Sequence, residues 1–146
     1  MKKVFYLLGL VTLLIGCEKS PKGFDLENLE GYWEIDKAET PYGAKQYKVS
    51  TTVDYFHVED SAGFRKKVQP RLIGKDQASA DQEEFRLGFK NDSLRIHYQS
   101  EFDQWRETII ELTEEKLVIK NDSSFYYIYK RFKPIEIEDK KKSGRT

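Results

Sequence analysis

The chain is 146 residues long and carries 25 basic and 25 acidic side chains, so it lacks the one-signed field that collects nucleic-acid phosphates. Its single cysteine excludes an internal disulfide framework. Nine Tyr, nine Phe and two Trp in a chain that is 34% charged suit a pleated, half-buried surface and point to strands.

Lys2 and Lys3 precede an apolar stretch from Val4 to Ile15, which Gly16 and Cys17 close. A membrane-spanning helix needs about 20 apolar residues, and this stretch is shorter. The order of positive start, apolar stretch and small residue predicts cleavage after residue 16. Leu14-Ile15-Gly16-Cys17 resembles the lipobox of a bacterial lipoprotein signal peptide, which implies that Cys17 carries acyl chains such as palmitate and anchors the protein to a membrane. Residues 1–16 are then a signal peptide, 17–28 a lipidated tether, 29–132 one domain and 133–146 a charged, disordered tail. Loss of Lys2 and Lys3 leaves 23 basic against 25 acidic groups in the mature chain.

Leu26 and Leu29 stand one helical step apart in a short turn or helical piece. Period-two alternation then predicts strands over about Gly31–Lys37, Ser50–Val58, Gly63–Gln69, Glu84–Lys90, Ser93–Ser100, Trp105–Leu112, Lys116–Lys120 and Phe125–Phe132. Turn chemistry at 59–63, 90–93 and 121–124 separates hairpins, and Lys75–Gln82 reads as a flexible loop. Eight short strands in a meander predict an all-β, up-and-down antiparallel barrel, partly open or closed between first and last strands, because closure removes exposed edges. A two-layer sandwich is the alternative.

Gly31-Tyr32-Trp33 opening the first strand resembles the Gly-x-Trp of the lipocalins, and Tyr129-Lys130-Arg131-Phe132 ends the last strand. The resemblance implies that Arg131 packs over Trp33 and closes the barrel bottom, a cation–π contact of about 0.5–2 kcal/mol. With Val53-Asp54-Tyr55-Phe56, the run 63–70 and Trp105-Arg106-Glu107-Thr108-Ile109, the domain is similar to lipocalin-like lipoproteins of Bacteroidota, flavobacterial ones especially. That family implies a fold and an address, not a ligand. Glu18-Lys19-Ser20-Pro21 lacks the acidic run that exports some such lipoproteins to the cell surface, which implies an outer-membrane position facing the periplasm.

An eight-stranded barrel is just wide enough to be filled by side chains or to hold one small ligand. Tyr55, Phe85, Phe89, Tyr98, Trp105, Tyr127 and Tyr129 either line such a cavity or plug it. Arg65 and Lys67 share a strand face; turned inward they need a carboxylate or an anionic ligand, and Glu107 is the candidate partner. Solvation of Arg65, Lys66 and Lys67 is the default, since charged groups are seldom fully buried. His57 and His97 have no metal-like spacing, so no metal or other cofactor is expected, and His57 with Glu59 reads as an exposed polar edge.

No nucleophile elbow or phosphate-binding glycine motif is present, and the chain is expected not to be an enzyme. Asp60-Ser61-Ala62 and Asp92-Ser93-Leu94 resemble the O-glycosylation acceptor pattern of Bacteroidota, making Ser61 and Ser93 candidate sites, although turn chemistry alone also explains both. The sequence thus predicts a membrane-anchored barrel that binds or carries a small apolar or amphipathic ligand. A filled barrel supporting an envelope protein complex through its outer surface is the alternative.

Overall fold

The computed structural model describes residues 23–48, 50–70, 77–78 and 81–133. The expected signal peptide, Cys17, most of the expected tether and nearly all of the expected tail lie outside the described residues. A 3-10 turn, Leu26–Leu29, leads into strands β1 Gly31–Thr40, β2 Gly43–Gln46, β3 Val53–Glu59, β4 Ala62–Gln69, β5 Gln77–Ala78, β6 Glu83–Lys90, β7 Ser93–Gln99, β8 Gln104–Leu112, β9 Lys116–Asn121 and β10 Tyr126–Arg131.

Eight of these form a closed antiparallel barrel in the order β1-β3-β4-β6-β7-β8-β9-β10, with β10 pairing back onto β1 from Trp33↔Arg131 to Glu39↔Tyr126. The expected barrel and its closing pair are therefore present. Two strands add to the expected eight. β2 folds back on the end of β1, from Thr40↔Gly43 to Lys37↔Gln46. β5 pairs with Val68 and Gln69 of β4, which corrects the reading of Lys75–Gln82 as loop throughout. Backbone pairing makes both strands, and neither has an apolar face that alternation could reveal.

Those additions divide the barrel wall. β1 pairs with β3 only through Gly31–Trp33 before β2 takes over at Lys37, and β4 pairs with β6 only through Ala62–Arg65 before β5 takes over at Val68. The wall is continuous at one end and splayed at the other. Bulges between Ile35 and Lys37 and between Ile109 and Glu111 bend β1 and β8. The second leaves Ile110 48% exposed while Ile109 and Leu112 stay inside.

Ladder parity sends Trp33, Phe56, Phe85, Leu87, Leu94, Ile96, Tyr98, Ile109, Leu117, Ile119 and Tyr129 inward, and they form one core with Leu29 and Leu112. Gly63 faces inward opposite Phe85, where a Cβ would lie 1.9 Å from the His57 carbonyl oxygen and 2.9 Å from the Phe85 ring. Gly63→Ala is accordingly expected to lower unfolding stability by about 1–3 kcal/mol. Urea denaturation with an unchanged midpoint would contradict this packing.

The continuous end is closed by the 3-10 turn. Trp33 is fully buried and its indole Nε1 donates to the Leu29 carbonyl at 3.0 Å. The Arg131 guanidinium lies 3.8 Å from the Trp33 ring centroid and donates to the Glu30 carbonyl at 2.7 Å, the Glu114 carbonyl at 2.8 Å and the Asn28 carbonyl. One side chain thus joins the last strand, the lead-in turn and the β8–β9 connection. Desolvation lowers its pKa, yet three carbonyls keep the guanidinium's donors satisfied. Gly31 has φ +115°, and a Cβ there would come within 3.0 Å of Arg131 Nη1. Glycine is required at that position both for its conformation and for the approach of the arginine.

Candidate functional site

The lower half of the barrel is packed, and the splayed half holds a cavity of about 270 Å³ lined by Trp33, Ile35, Ser50, Thr52, Asp54, Arg65, Lys67, Glu107, Tyr127 and Tyr129. Whether the interior is lined or filled therefore has a divided answer: Trp33 is the floor between the two. Ser50 and Thr52 border the cavity where β1 and β3 have parted.

Strand alternation brings charge into this cavity. Because Phe56 pairs with Arg65 and Asp54 with Lys67, all four side chains point inward, and Glu107 enters from β8 opposite Ile96. Arg65 Nε donates to Glu83 at 2.7 Å and its Nη1 to Glu107 at 3.3 Å. Its guanidinium carbon also stands 4.6 Å from the Tyr98 ring centroid and 5.9 Å from that of Phe56. Lys67 Nζ donates to Asp54 at 2.7 Å, with the lysine head reaching solvent and Asp54 only 5% exposed. The default of three solvated bases is corrected for Arg65, because the barrel supplies two carboxylates and two aromatic faces for it. Lys66, on the outer face, lies over the Tyr55 and Phe64 rings.

Burial alone would lower the Arg65 pKa, but Tyr98, Glu107 and Glu83 outweigh it and raise the value, so the guanidinium stays charged. Desolvation raises Glu107 above the usual carboxylate range despite the opposing pull of Arg65. Burial pushes the Tyr98 and Tyr129 phenols well up, with Asp54 adding to the effect at Tyr129. Tyr98 is 2% exposed and stacks on Trp105 with centroids 4.9 Å apart and planes 10° apart. Its hydroxyl is within electrostatic reach of Glu107 but makes no well-aligned hydrogen bond among the described residues.

The structure gathers Arg65, Lys67, Tyr98, Glu107, Tyr127 and Tyr129 in or beside the cavity, with Trp105 behind Tyr98. Tyr55 and Phe89 belong elsewhere. Tyr55 pairs with Lys66 on the outer face, packs against Tyr32 with centroids 4.8 Å apart and donates to Glu30 at 3.0 Å. Desolvation, with that bond to Glu30, pushes its phenol up to about 12. Phe89 is 38% exposed at the end of β6, past the packed interior. His57 shares the Glu30 carboxylate at 3.3 Å instead of forming a free edge with Glu59.

Asp54 and Glu83 are site residues that aromatic composition conceals. Alternation carried a signal for both, Asp54 standing two positions before inward Phe56 and Glu83 two before inward Phe85, but the strand expected from Glu84 began one residue too late to include Glu83. Ser61 lies in the β3–β4 turn and Ser93 opens β7, both at the closed end and both accessible. A second, open concavity of about 1440 Å³ runs along the outer wall past His57, Glu84, Arg86, His97, Arg106 and Asp122. Among the described residues no group of three or more His, Cys, Asp or Glu side chains is placed to hold a metal ion.

Residues 29–119 match the family model of the lipocalin-like domain. A lipocalin-like protein from Bacteroides uniformis superposes with a TM-score of 0.47 at 12% identity, covering 72% of this chain and 99% of that one. An uncharacterized protein from Bacteroides eggerthii gives a TM-score of 0.46 at 13% identity, covering 71% and 99%. No curated protein shows significant similarity. Because the family model spans well over half of the sequence, from the floor turn through β9, the chain belongs to the lipocalin-like domain family.

Proposed function

We propose that this chain is a non-enzymatic, lipid-anchored lipocalin-like protein, held through Cys17 at the outer membrane facing the periplasm, which binds a small amphipathic molecule in its splayed half. The observation that carries the reading is the cavity itself, in which an aromatic and aliphatic wall of Trp33, Ile35, Tyr127 and Tyr129 faces the buried Arg65–Glu107 pair and the buried Asp54, whose partner Lys67 reaches solvent. Apolar burial at roughly 25 cal/mol per Å² supplies affinity, and the charged groups fix orientation. At about 270 Å³ the cavity is just below the roughly 300–1,000 Å³ of ordinary small-molecule pockets, so the ligand is small or keeps one end in solvent. A purely apolar ligand fits poorly, since it would strip solvent from Lys67 and Asp54 without replacing their contacts.

The anchor rests on the sequence at 1–17. Cys17→Ser is expected to move the protein from the membrane to the soluble fraction and to abolish acyl labelling; unchanged membrane partition would contradict the anchor. Binding is tested by thermal shift against short-chain and aromatic acids, amines and zwitterions. A ligand present at about 100 times its Kd stabilises by about 2.7 kcal/mol, a shift well above measurement error. A flat response across the panel would contradict the binding function.

A further inference from the structure

Among the described residues the two most exposed large hydrophobic side chains are Tyr42, 94% exposed, and Phe102, 91% exposed. Both occupy the third position of a four-residue hairpin tip, Thr40-Pro41-Tyr42-Gly43 between β1 and β2 and Ser100-Glu101-Phe102-Asp103 between β7 and β8. Strand direction places both tips at the splayed end, where β1 and β7 finish, and on opposite sides of the barrel.

Each tip is held by the hydroxyl residue that opens it. Thr40 Oγ1 donates to the Gly43 carbonyl and accepts from Tyr42 N, both at 3.1 Å. Ser100 Oγ accepts from Phe102 N at 3.3 Å and Asp103 N at 3.0 Å, while Ser100 N donates to the Asp103 carbonyl at 2.9 Å. The rings are thus presented on ordered backbones, which removes much of the entropy cost of docking them. Rigidly presented aromatic groups of this kind are the usual anchors of protein interfaces.

Two observations decide between a bilayer and a protein as the occupant. Glu101 and Asp103 flank Phe102, and carboxylates beside an inserting ring oppose entry into anionic lipid headgroups but complement basic side chains. The chain enters the barrel at the opposite, closed end, where Trp33 and Arg131 fix the 3-10 turn. Cys17 to Asp25 can reach at most about 30 Å, roughly one strand length, so with a tether lipidated at Cys17 the tips meet the membrane only if that tether runs almost fully extended along the whole barrel wall.

We infer that the splayed end is a docking surface for a protein partner whose apolar sockets receive Phe102 and Tyr42, the socket for Phe102 bordered by Lys or Arg, and that ligand passes between this barrel and that partner instead of the anchoring bilayer. The orientation rests on the anchored reading above; the two aromatic tips do not.

The test is a photo-crosslinking amino acid placed singly at 42, 102 or 110 in the full-length protein, in cells of its native host. Ile110 is exposed on the barrel wall and serves as control. The expected result is the same protein adduct from 42 and 102, at least about 10-fold above the control and mapped to apolar positions beside basic residues. Glu101→Lys with Asp103→Lys is expected to reduce it by about 10-fold. Lipid adducts, an adduct to a second copy, equal labelling from 110, no adduct, or indifference to charge reversal would each overturn the inference. Fractionating the same cells reads the anchor separately: a soluble wild-type protein contradicts the anchor whether or not the adduct forms, and a membrane-bound protein without the adduct contradicts the docking surface alone.

Discussion

Replacing Arg65 with Met is expected to cost about 3–5 kcal/mol of unfolding free energy, because Glu107 would remain buried without its guanidinium neighbour. Glu107→Gln is expected to cost less than about 1.5 kcal/mol, since Arg65 keeps Glu83 at 2.7 Å and a neutral group at 107 escapes the desolvation that raises the native carboxyl. Combining Arg65→Met with Glu107→Leu should recover most of the loss, as apolar replacement of a buried pair often does. Urea denaturation of the four proteins checks the ordering. Equal losses in Arg65→Met and Glu107→Gln would contradict the account of this pair.

The same group sets a pH dependence. A carboxyl raised in the folded state binds its proton more tightly there than in the unfolded chain, so its stabilising contribution is full below the ordinary carboxylate pKa. That contribution is lost as pH rises through the raised value. Other carboxylates superpose their own slopes, so the measurement is the difference between wild type and Glu107→Gln across pH 3.5 to 8. The variant should gain relative stability toward neutral pH, and a difference constant with pH would contradict the shift.

The second large effect is at the floor. Trp33→Ala is expected to lose about 3–5 kcal/mol, as truncation of a fully buried large aromatic leaves a cavity. It also removes the Nε1 bond to Leu29 and the ring beneath Arg131, thereby joining the packed half to the ligand cavity. A loss under 1 kcal/mol in denaturant would mean that the floor is not the keystone of the closed end. Arg131→Lys keeps the charge but not the fork that reaches Glu30, Asn28 and Glu114 at once, so it should behave as a loss and not as a conservative change.

Alternation made the barrel legible because every strand of the closed wall buries one face, and Gly31, Trp33 and Arg131 marked where the wall joins. It could not show β2, whose residues 43–46 are all exposed, or β5, which is two residues of backbone pairing. In the cavity, aromatic composition drew attention to Tyr55, whereas parity with Phe56 puts Asp54 inside and Tyr55 outside. Arg65 and Glu107 were readable as a conditional pair only, since one strand does not reveal which face a distant strand will offer. Glu83 joins them through the pairing Arg65↔Glu83, a long-range register that no local pattern carries.

Native mass spectrometry of the protein extracted from its own host, beside an Ile35→Trp variant that fills the cavity between Trp33 and Tyr129, tests ligand binding most directly. The account predicts one or a few bound small molecules of defined mass on the wild type, released on activation and absent from the variant. Repeated observation of the bare protein mass, or the same adduct on a folded Ile35→Trp protein, would contradict a ligand site in the splayed half of the barrel.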